Sequence, residues 1–252
     1  MSDLKELFEN KEGNLVNKPI HYFDIYDTHF SRYRGTDVHI LEIGVDSGGS
    51  LDLWRDYFGP QAKIYGVDVN PACKKLEDDG YQIFIGSQSD PDFLNMVADS
   101  MPRIDILIDD GGHRMEQQII TFETMYDKIS ENGFYVCEDI CTSYWLEYGG
   151  GYKKKRSFIE YSKNLIDSIH AWHSRNPDKF PITDLTKIIK GIHYYNNMLF
   201  IEKGQMLSKP ELVRRGTRTI PLTESTGNPS FEEPLKFKLI RRLPWPIQKR
   251  FQ

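Results

Sequence analysis

Residues Ile104–Trp145, IDILIDDGGHRMEQQIITFETMYDKISENGFYVCEDICTSYW, contain two apolar runs that each end in paired acids. The first run closes on Asp109 and Asp110, with His113 just beyond, and the second closes on Glu138 and Asp139. The segment between them has helical spacing, so the pattern is strand, helix, strand. Parallel strands joined this way bring their carboxyl ends to one edge of a sheet, where open α/β sheets bind ligands. Four carboxylates crowded at that edge repel one another until a cation or a proton intervenes. Taken singly, each acid reads as a solvated loop residue. Taken together with His113, they predict a hard-cation site beside a general base.

Upstream, Val38–Ile43 (VHILEI), Ile64–Asp68 (IYGVD) and Tyr81–Ile85 read as three more strands, short, apolar and β-branched. The first runs into Gly44, Ser47, Gly48, Gly49 and Ser50 and then a helix to Phe58; the third is followed by Ser87 and Gln88 and a helix over Pro91–Ala98. With Ile104–Asp109 and Phe134–Glu138 as the fourth and fifth strands, the alternation predicts a doubly wound, Rossmann-like α/β sheet, mostly parallel. Ahead of it, Leu4–Asn14 reads as a short charged helix, and Tyr22, Tyr26 and Phe30 fall at helical spacing. That aromatic face packs on the core or serves as a lid over a cofactor.

Downstream, a helix is expected from Lys155 to about Ser174. Ile192–Tyr195, Asn196-Asn197 and Met198–Glu202 read as strand, tight turn and strand, a hairpin closing the sheet with an antiparallel strand. The expected organisation is an N-terminal helical or lid segment (1–35), a nucleoside-binding domain (36–203) and a polar extension (204–252) with a basic amphipathic end. From Pro234 onward there are Lys236, Lys238, Arg241, Arg242, Lys249 and Arg250 and no acid, so the rest of the chain carries −11 of a net charge of −5. That tail fits a helix docked on the domain or on a partner chain, with peripheral contact to an anionic membrane as the other reading. The overall negative charge argues against a nucleic-acid binder. No apolar run is long enough to span a bilayer. Cys73, Cys137 and Cys141 make no disulfide framework, so a reducing cytoplasm is expected, and the expected state is a homo-oligomer.

A glycine turn followed by an acid on the next strand serves both nicotinamide dinucleotide enzymes and methyltransferases. Here the spacing of Gly44, Gly48 and Gly49 is not the G-x-G-x-x-G that cradles a pyrophosphate. Glu42 also sits inside the strand before the turn, and Asp68 ends the next strand, placed to accept from ribose hydroxyls. S-adenosylmethionine has no phosphates and needs acceptors of this kind, so it is the expected cofactor.

LEIGVDSGGSL (Leu41–Leu51), YGVDVNP (Tyr65–Pro71), IDDGGH (Ile108–His113) and EDICTSYWLEYGGG (Glu138–Gly151) together resemble the metal-dependent sugar O-methyltransferases that decorate rhamnose-type sugars on macrolides and tetracenomycin-like polyketides. These are class I S-adenosylmethionine-dependent enzymes, often grouped with cephalosporin hydroxylase-like proteins, and the similarity spans Pro19–Glu202. The resemblance implies Mg2+ held by Asp110, Glu138 and Asp139, His113 as general base, and Asp109 at the strand end facing the cofactor. It places adenine contacts on Ser87 and Gln88, although Ser87 stands where similar sequences carry an acid. Donor contacts are expected from Glu42, Gly44, Ser47, Gly48, Ser50 and Asp68. Tyr144 and Trp145, beside the acids, line a sugar pocket or belong to the core.

The chemistry explains why such residues would be assembled. Water ionises near pH ~15.7, and a sugar hydroxyl only somewhat lower, so lowering its pKa to about 7 takes on the order of 10 kcal/mol at about 1.4 kcal/mol per unit. One histidine cannot supply that, whereas a divalent cation touching neighbouring sugar oxygens beside a base can. Three oxygen-donor carboxylates with no histidine or cysteine ligand select Mg2+ (or Mn2+ or Ca2+) over Zn2+. The expected activity is methylation of a vicinal-diol hydroxyl on a glycan or glycosylated metabolite. The alternatives are a hydroxylase of the cephalosporin hydroxylase-like group, weakened by the lack of a two-histidine iron triad, and a non-catalytic binding protein that keeps the fold.

Overall fold

The computed structural model describes residues 3–219. The basic tail from Pro234 onward, with the docking and membrane readings attached to it, lies outside the described residues. Strands β1 (His39–Ile43), β2 (Lys63–Asp68), β3 (Gln82–Ile85), β4 (Ile104–Asp109), β5 (Ile129–Cys137), β6 (Ile189–Tyr195) and β7 (Met198–Lys203) form one sheet in the order β3-β2-β1-β4-β5-β7-β6. The first five strands run parallel; β7 is antiparallel to β5, and β6 to β7. The order reverses direction between β1 and β4, the switch point at which open sheets open a crevice.

All five residues of β1 are buried, as a central strand covered on both faces requires. One face packs α1 (Asp3–Glu9), α2 (Tyr22–Phe30) and α3 (Gly49–Phe58), whose Tyr22, Tyr26, Phe30, Trp54 and Phe58 meet Ile40, Ile106, Ile108, Phe134 and Val136. The other packs α4 (Pro91–Asp99), α5 (Met115–Met125) and α6 (Phe158–His170) on Leu41, Ile43, Leu107, Tyr135 and Cys137. Each large side chain so buried contributes about 1.5–3 kcal/mol. The aromatic face of α2 is therefore core, and the helices of residues 1–35 share the core of the sheet. Asp90 caps α4 by accepting from the amides of Asp92 (3.0 Å) and Phe93 (3.2 Å), with Pro91 at the first helical position.

Several elements differ from the sequence reading: α1 ends at Glu9 rather than Asn14, and β6 begins at Ile189 rather than Ile192. β5 begins at Ile129, because Ser130–Gly133, a turn by composition, is crossed by an irregular strand in which Asn132 takes φ 64. The helix expected from Lys155 begins at Phe158, where Ser157 supplies its cap; the preceding basic residues form turns, with Lys153 at φ 54. A short helix α7 (Asp184–Ile188) leads into the hairpin. A second unit starts at Glu211, and its described residues, 211–219, contain no helix or strand. Among the described residues no helix is long and apolar enough to cross a membrane.

Candidate active site

Strand register brings the acids together. Ile43 pairs with Asp109, and Asp109 with Cys137. The ladder runs one residue further, with the Asp110 amide donating to Ile43 O (3.0 Å) and the Glu138 amide to Asp109 O (3.0 Å). Side chains alternate faces along a strand, so Glu42, Asp110 and Glu138 project on the α1–α3 face and Asp109 on the other. Gly44 closes the third side. At φ +89, a Cβ there would lie 2.1 Å from Asp110 O, so the turn after β1 reaches the end of β4 only as glycine.

This alternation divides the acids differently from the sequence reading. Asp109 does not face the cavity: it is buried, accepting from Gln88 Nε2 (2.9 Å) and Tyr135 Oη (3.0 Å). Burial raises its pKa and those two bonds oppose the rise. Gln88 in turn accepts from the Gly112 amide (2.8 Å), so Asp109 steadies the DDGGH turn through Gln88. Glu138 and Asp139 also part company. Glu138 still lies in the ladder and turns inward, whereas Asp139 takes φ 52 and swings toward the cavity. The set Asp110, Glu138 and Asp139 implied by the resemblance is thus split, with Asp110 common to two clusters: Asp110, His113 and Asp139, and Glu42, Asp110 and Glu138. Within each cluster the ligand atoms lie within 4.8 Å of one another.

The inner cluster already holds a cation. Lys18 Nζ lies 2.6 Å from Glu138 Oε1, 2.7 Å from Asp110 Oδ2 and 3.4 Å from Glu42 Oε1. Burial opposes the charge on Lys18, and the three carboxylates overcome it, raising its pKa well above the ordinary lysine value. Glu138 also accepts from Tyr26 Oη, and Glu42 accepts from Trp54 Nε1 at 2.7 Å. Burial and the Asp110 charge push Glu138 up to about 8; burial also raises Glu42, against the pull of Lys18. Glu42 therefore faces Lys18 and Trp54, not a ligand, because its strand position points into the α3 face.

The outer cluster opens to the cavity. His113 Nε2 stands 3.7 Å from Asp139 Oδ2 and 3.9 Å from Asp110 Oδ1. Its backbone, at φ 54, is pinned by Thr142 Oγ1 donating to His113 O (3.0 Å). Asp139 is fixed by Tyr22 Oη (2.8 Å) and Asn197 Nδ2 (2.7 Å), so the hairpin tip orients a site carboxylate. Asp110 and Asp139 fit a hard cation: their oxygens lie close together beside His113 at a partly open position, and among the described residues no lysine or arginine pairs with Asp139. Glu138 meets the same Asp110 from the buried side.

The cavity, about 410 Å³, is of a size suited to a nucleoside ligand. Gly44, Ser50, Asp68, Gln88, Asp110, His113 and Asp139 line it. Asp68 Oδ2 accepts from the amides of Val45 (3.1 Å) and Asp46 (3.2 Å), which sets the glycine turn. Ser47, Gly48 and Ser87 are not among the residues that line the cavity. Tyr144 instead borders a second cavity of about 530 Å³ with Ile166 and Tyr194, and Trp145 stacks at a tilt on Tyr148. Sequence reasoning missed Lys18 and the neighbouring Leu15, Val16 and Asn17, which wall this cavity. The one local signal there is Pro19, which holds the residue before it extended.

No family model matches the sequence. Among curated proteins, the 8-demethyl-8-(2-methoxy-alpha-L-rhamnosyl)-tetracenomycin-C 3'-O-methyltransferase of Streptomyces olivaceus is 36% identical over 196 residues, 73% of this chain and 50% of the relative. The mycinamicin VI 2''-O-methyltransferase of Micromonospora griseorubida is 34% identical over 219 residues, 81% of this chain and 53% of the relative. The chain spans about half the length of the curated relatives it matches. Among solved structures, the MycE methyltransferase of the mycinamycin biosynthetic pathway, in complex with Mg and SAH, superimposes with a TM-score of 0.70 at 30% identity, over 86% of this chain and 57% of that one. The same enzyme with Mg, SAH and mycinamycin VI gives 0.66 at 29% identity, over 81% and 54%. The homologues of this chain are therefore sugar O-methyltransferases of tetracenomycin and macrolide pathways, and its described residues form the Rossmann-like methyltransferase sheet that goes with them.

Proposed function

We propose that the chain is an S-adenosylmethionine-dependent, Mg2+-dependent O-methyltransferase that methylates a sugar hydroxyl of a glycosylated small-molecule acceptor. The observation that carries this reading is His113 Nε2, set between Asp110 and Asp139 on the wall of a nucleoside-sized cavity. Asp68, at the end of the second strand, and Gly44 both line the cavity, which supports a ribose contact from Asp68 and a close approach of the ligand to the backbone at Gly44. When bound, S-adenosylmethionine supplies the methyl group on a sulfonium leaving group. Bound Mg2+ supplies polarisation of the acceptor oxygens; Asp110 and Asp139 would hold it, with Glu138 as the buried neighbour. His113 takes the hydroxyl proton at Nε2, and the two flanking carboxylates stabilise the imidazolium that forms. Cys73, Cys137 and Cys141 are all free thiols, which supports action in a reducing cytoplasm.

The test is turnover with S-adenosylmethionine, Mg2+ and a panel of rhamnose-type glycosides, read by product mass. A gain of about 14 mass units marks a transferred methyl, and a gain of about 16, an inserted oxygen, would favour a hydroxylase. EDTA should abolish turnover. The His113→Ala variant should bind S-adenosylhomocysteine normally yet lose on the order of 10²–10⁴ in rate; unchanged turnover removes the base assignment.

A further inference from the structure

Residues 12–18 join α1 to α2 without helix or strand, and among the described residues their main chain makes no hydrogen bond to other main chain. Yet Leu15, Val16, Asn17 and Lys18 form part of the donor cavity wall. Side chains hold this segment at its two ends. At one end, Lys11 Nζ and Asn14 Nδ2 both reach Asp52 Oδ2 at 3.1 Å, while Tyr81 Oη holds Asp52 Oδ1 at 2.7 Å. At the other end, Lys18 is buried among Asp110, Glu138 and Glu42. Between the two anchors the chain lies directly on the start of α3: a Cβ on Gly49 would stand 2.2 Å from Leu15 O and 2.6 Å from Asn14 O.

We infer that Lys18 is a positioning residue that latches this strap over the donor cavity, so that a complete donor site exists only while its ammonium is held by Asp110 and Glu138. The inference rests on reading the cavity as the S-adenosyl donor site. Three features support it. Glu42 Oε1 is buried with no hydrogen-bond partner, leaving Lys18 as its compensating charge. Removing that ammonium leaves the Asp110 charge and the buried Glu42 and Glu138 carboxyls without their partner, which expels the strap end. Asp110 spends Oδ2 on Lys18 and turns Oδ1 toward His113, so the latch also sets the direction of a site carboxylate. Leu15, 66% exposed in the strap, and Val69, 67% exposed after β2, both line the cavity and both gain burial when a flat, partly apolar ligand such as adenine enters. Donor binding therefore closes on the strap.

The test is calorimetric binding of S-adenosylhomocysteine to the full chain and to the Lys18→Met and Lys18→Arg variants. Lys18→Met should weaken binding about tenfold or more, the factor by which the strap-closed population falls, and Lys18→Arg should recover most of the loss. A folded Lys18→Met variant that binds within about twofold of wild type overturns the latch. Hydrogen exchange on the wild-type chain keeps the idea testable if Lys18→Met does not fold: S-adenosylhomocysteine should slow the amides of Leu15, Val16 and Asn17, and unchanged exchange there overturns it. Wild-type protein that binds no S-adenosylhomocysteine overturns the donor reading itself, an outcome distinct from the others.

Discussion

Glu138 should make the cation-free protein lose stability as the pH rises toward 8. Burial and the neighbouring Asp110 charge hold its carboxyl at about 8, against 4.5 for the free group. Between those values the folded state keeps a proton that the unfolded chain has released. The resulting stabilisation is complete below 4.5, falls by about 1.4 kcal/mol per pH unit and is gone above about 8. His29 acts with the opposite sign: burial lowers its pKa from 6.5 to about 4, so its contribution grows from pH 4 to 6.5 and is constant above. The clean window is thus pH 6.5 to 8, where Glu138 alone of the two titrates, and the expected loss is about 2 kcal/mol. Glu42 and Asp109, also raised by burial, add in the same direction. For a chain of this size that loss lowers Tm by about 4–8 °C. The assay is thermal denaturation followed by circular dichroism in EDTA, from pH 6.5 to 9. Glu138→Gln, which cannot ionise, should flatten the decline. A wild-type Tm that stays level or climbs across this range, or a Glu138→Gln variant with an undiminished slope, would refute the argument.

Two further substitutions test how the site is built. Gly44→Ala places a methyl 2.1 Å from Asp110 O at φ +89; it should cost about 2 kcal/mol or more and abolish S-adenosylhomocysteine binding, whereas Gly35→Ala, at φ +70 with nothing within 4 Å, should cost only about 1 kcal/mol. Urea denaturation and calorimetry on both variants decide it, and equal costs would count against the contact. Trp54→Phe removes the 2.7 Å donor to Glu42 Oε2 inside the core; urea denaturation should show a loss of about 1–3 kcal/mol, and a change under about 0.3 kcal/mol would mean that Glu42 does not depend on it.

The sequence by itself determined the order and type of the elements around the sheet. Apolar runs such as HILEI and IDILID, broken by glycine turns and helical spacings, carry the signature of buried parallel strands, and Asn196-Asn197 between two apolar runs marks the closing hairpin. It also placed Asp110, His113 and Asp139 at one edge, since residues that end neighbouring parallel strands must meet there. Tertiary structure alone decided which way each acid points. The pairing of Asp109 with Cys137, and a left-handed Asp139, send Asp109 to one face, Glu138 inward and Asp139 to the cavity. Tertiary structure alone also found Lys18, which lies 92 residues from Asp110 and 120 from Glu138 in the chain. Periodicity records how a segment alternates between core and water; the counter-ion of a buried acid is set by burial and strand register, and neither leaves a local mark on the sequence.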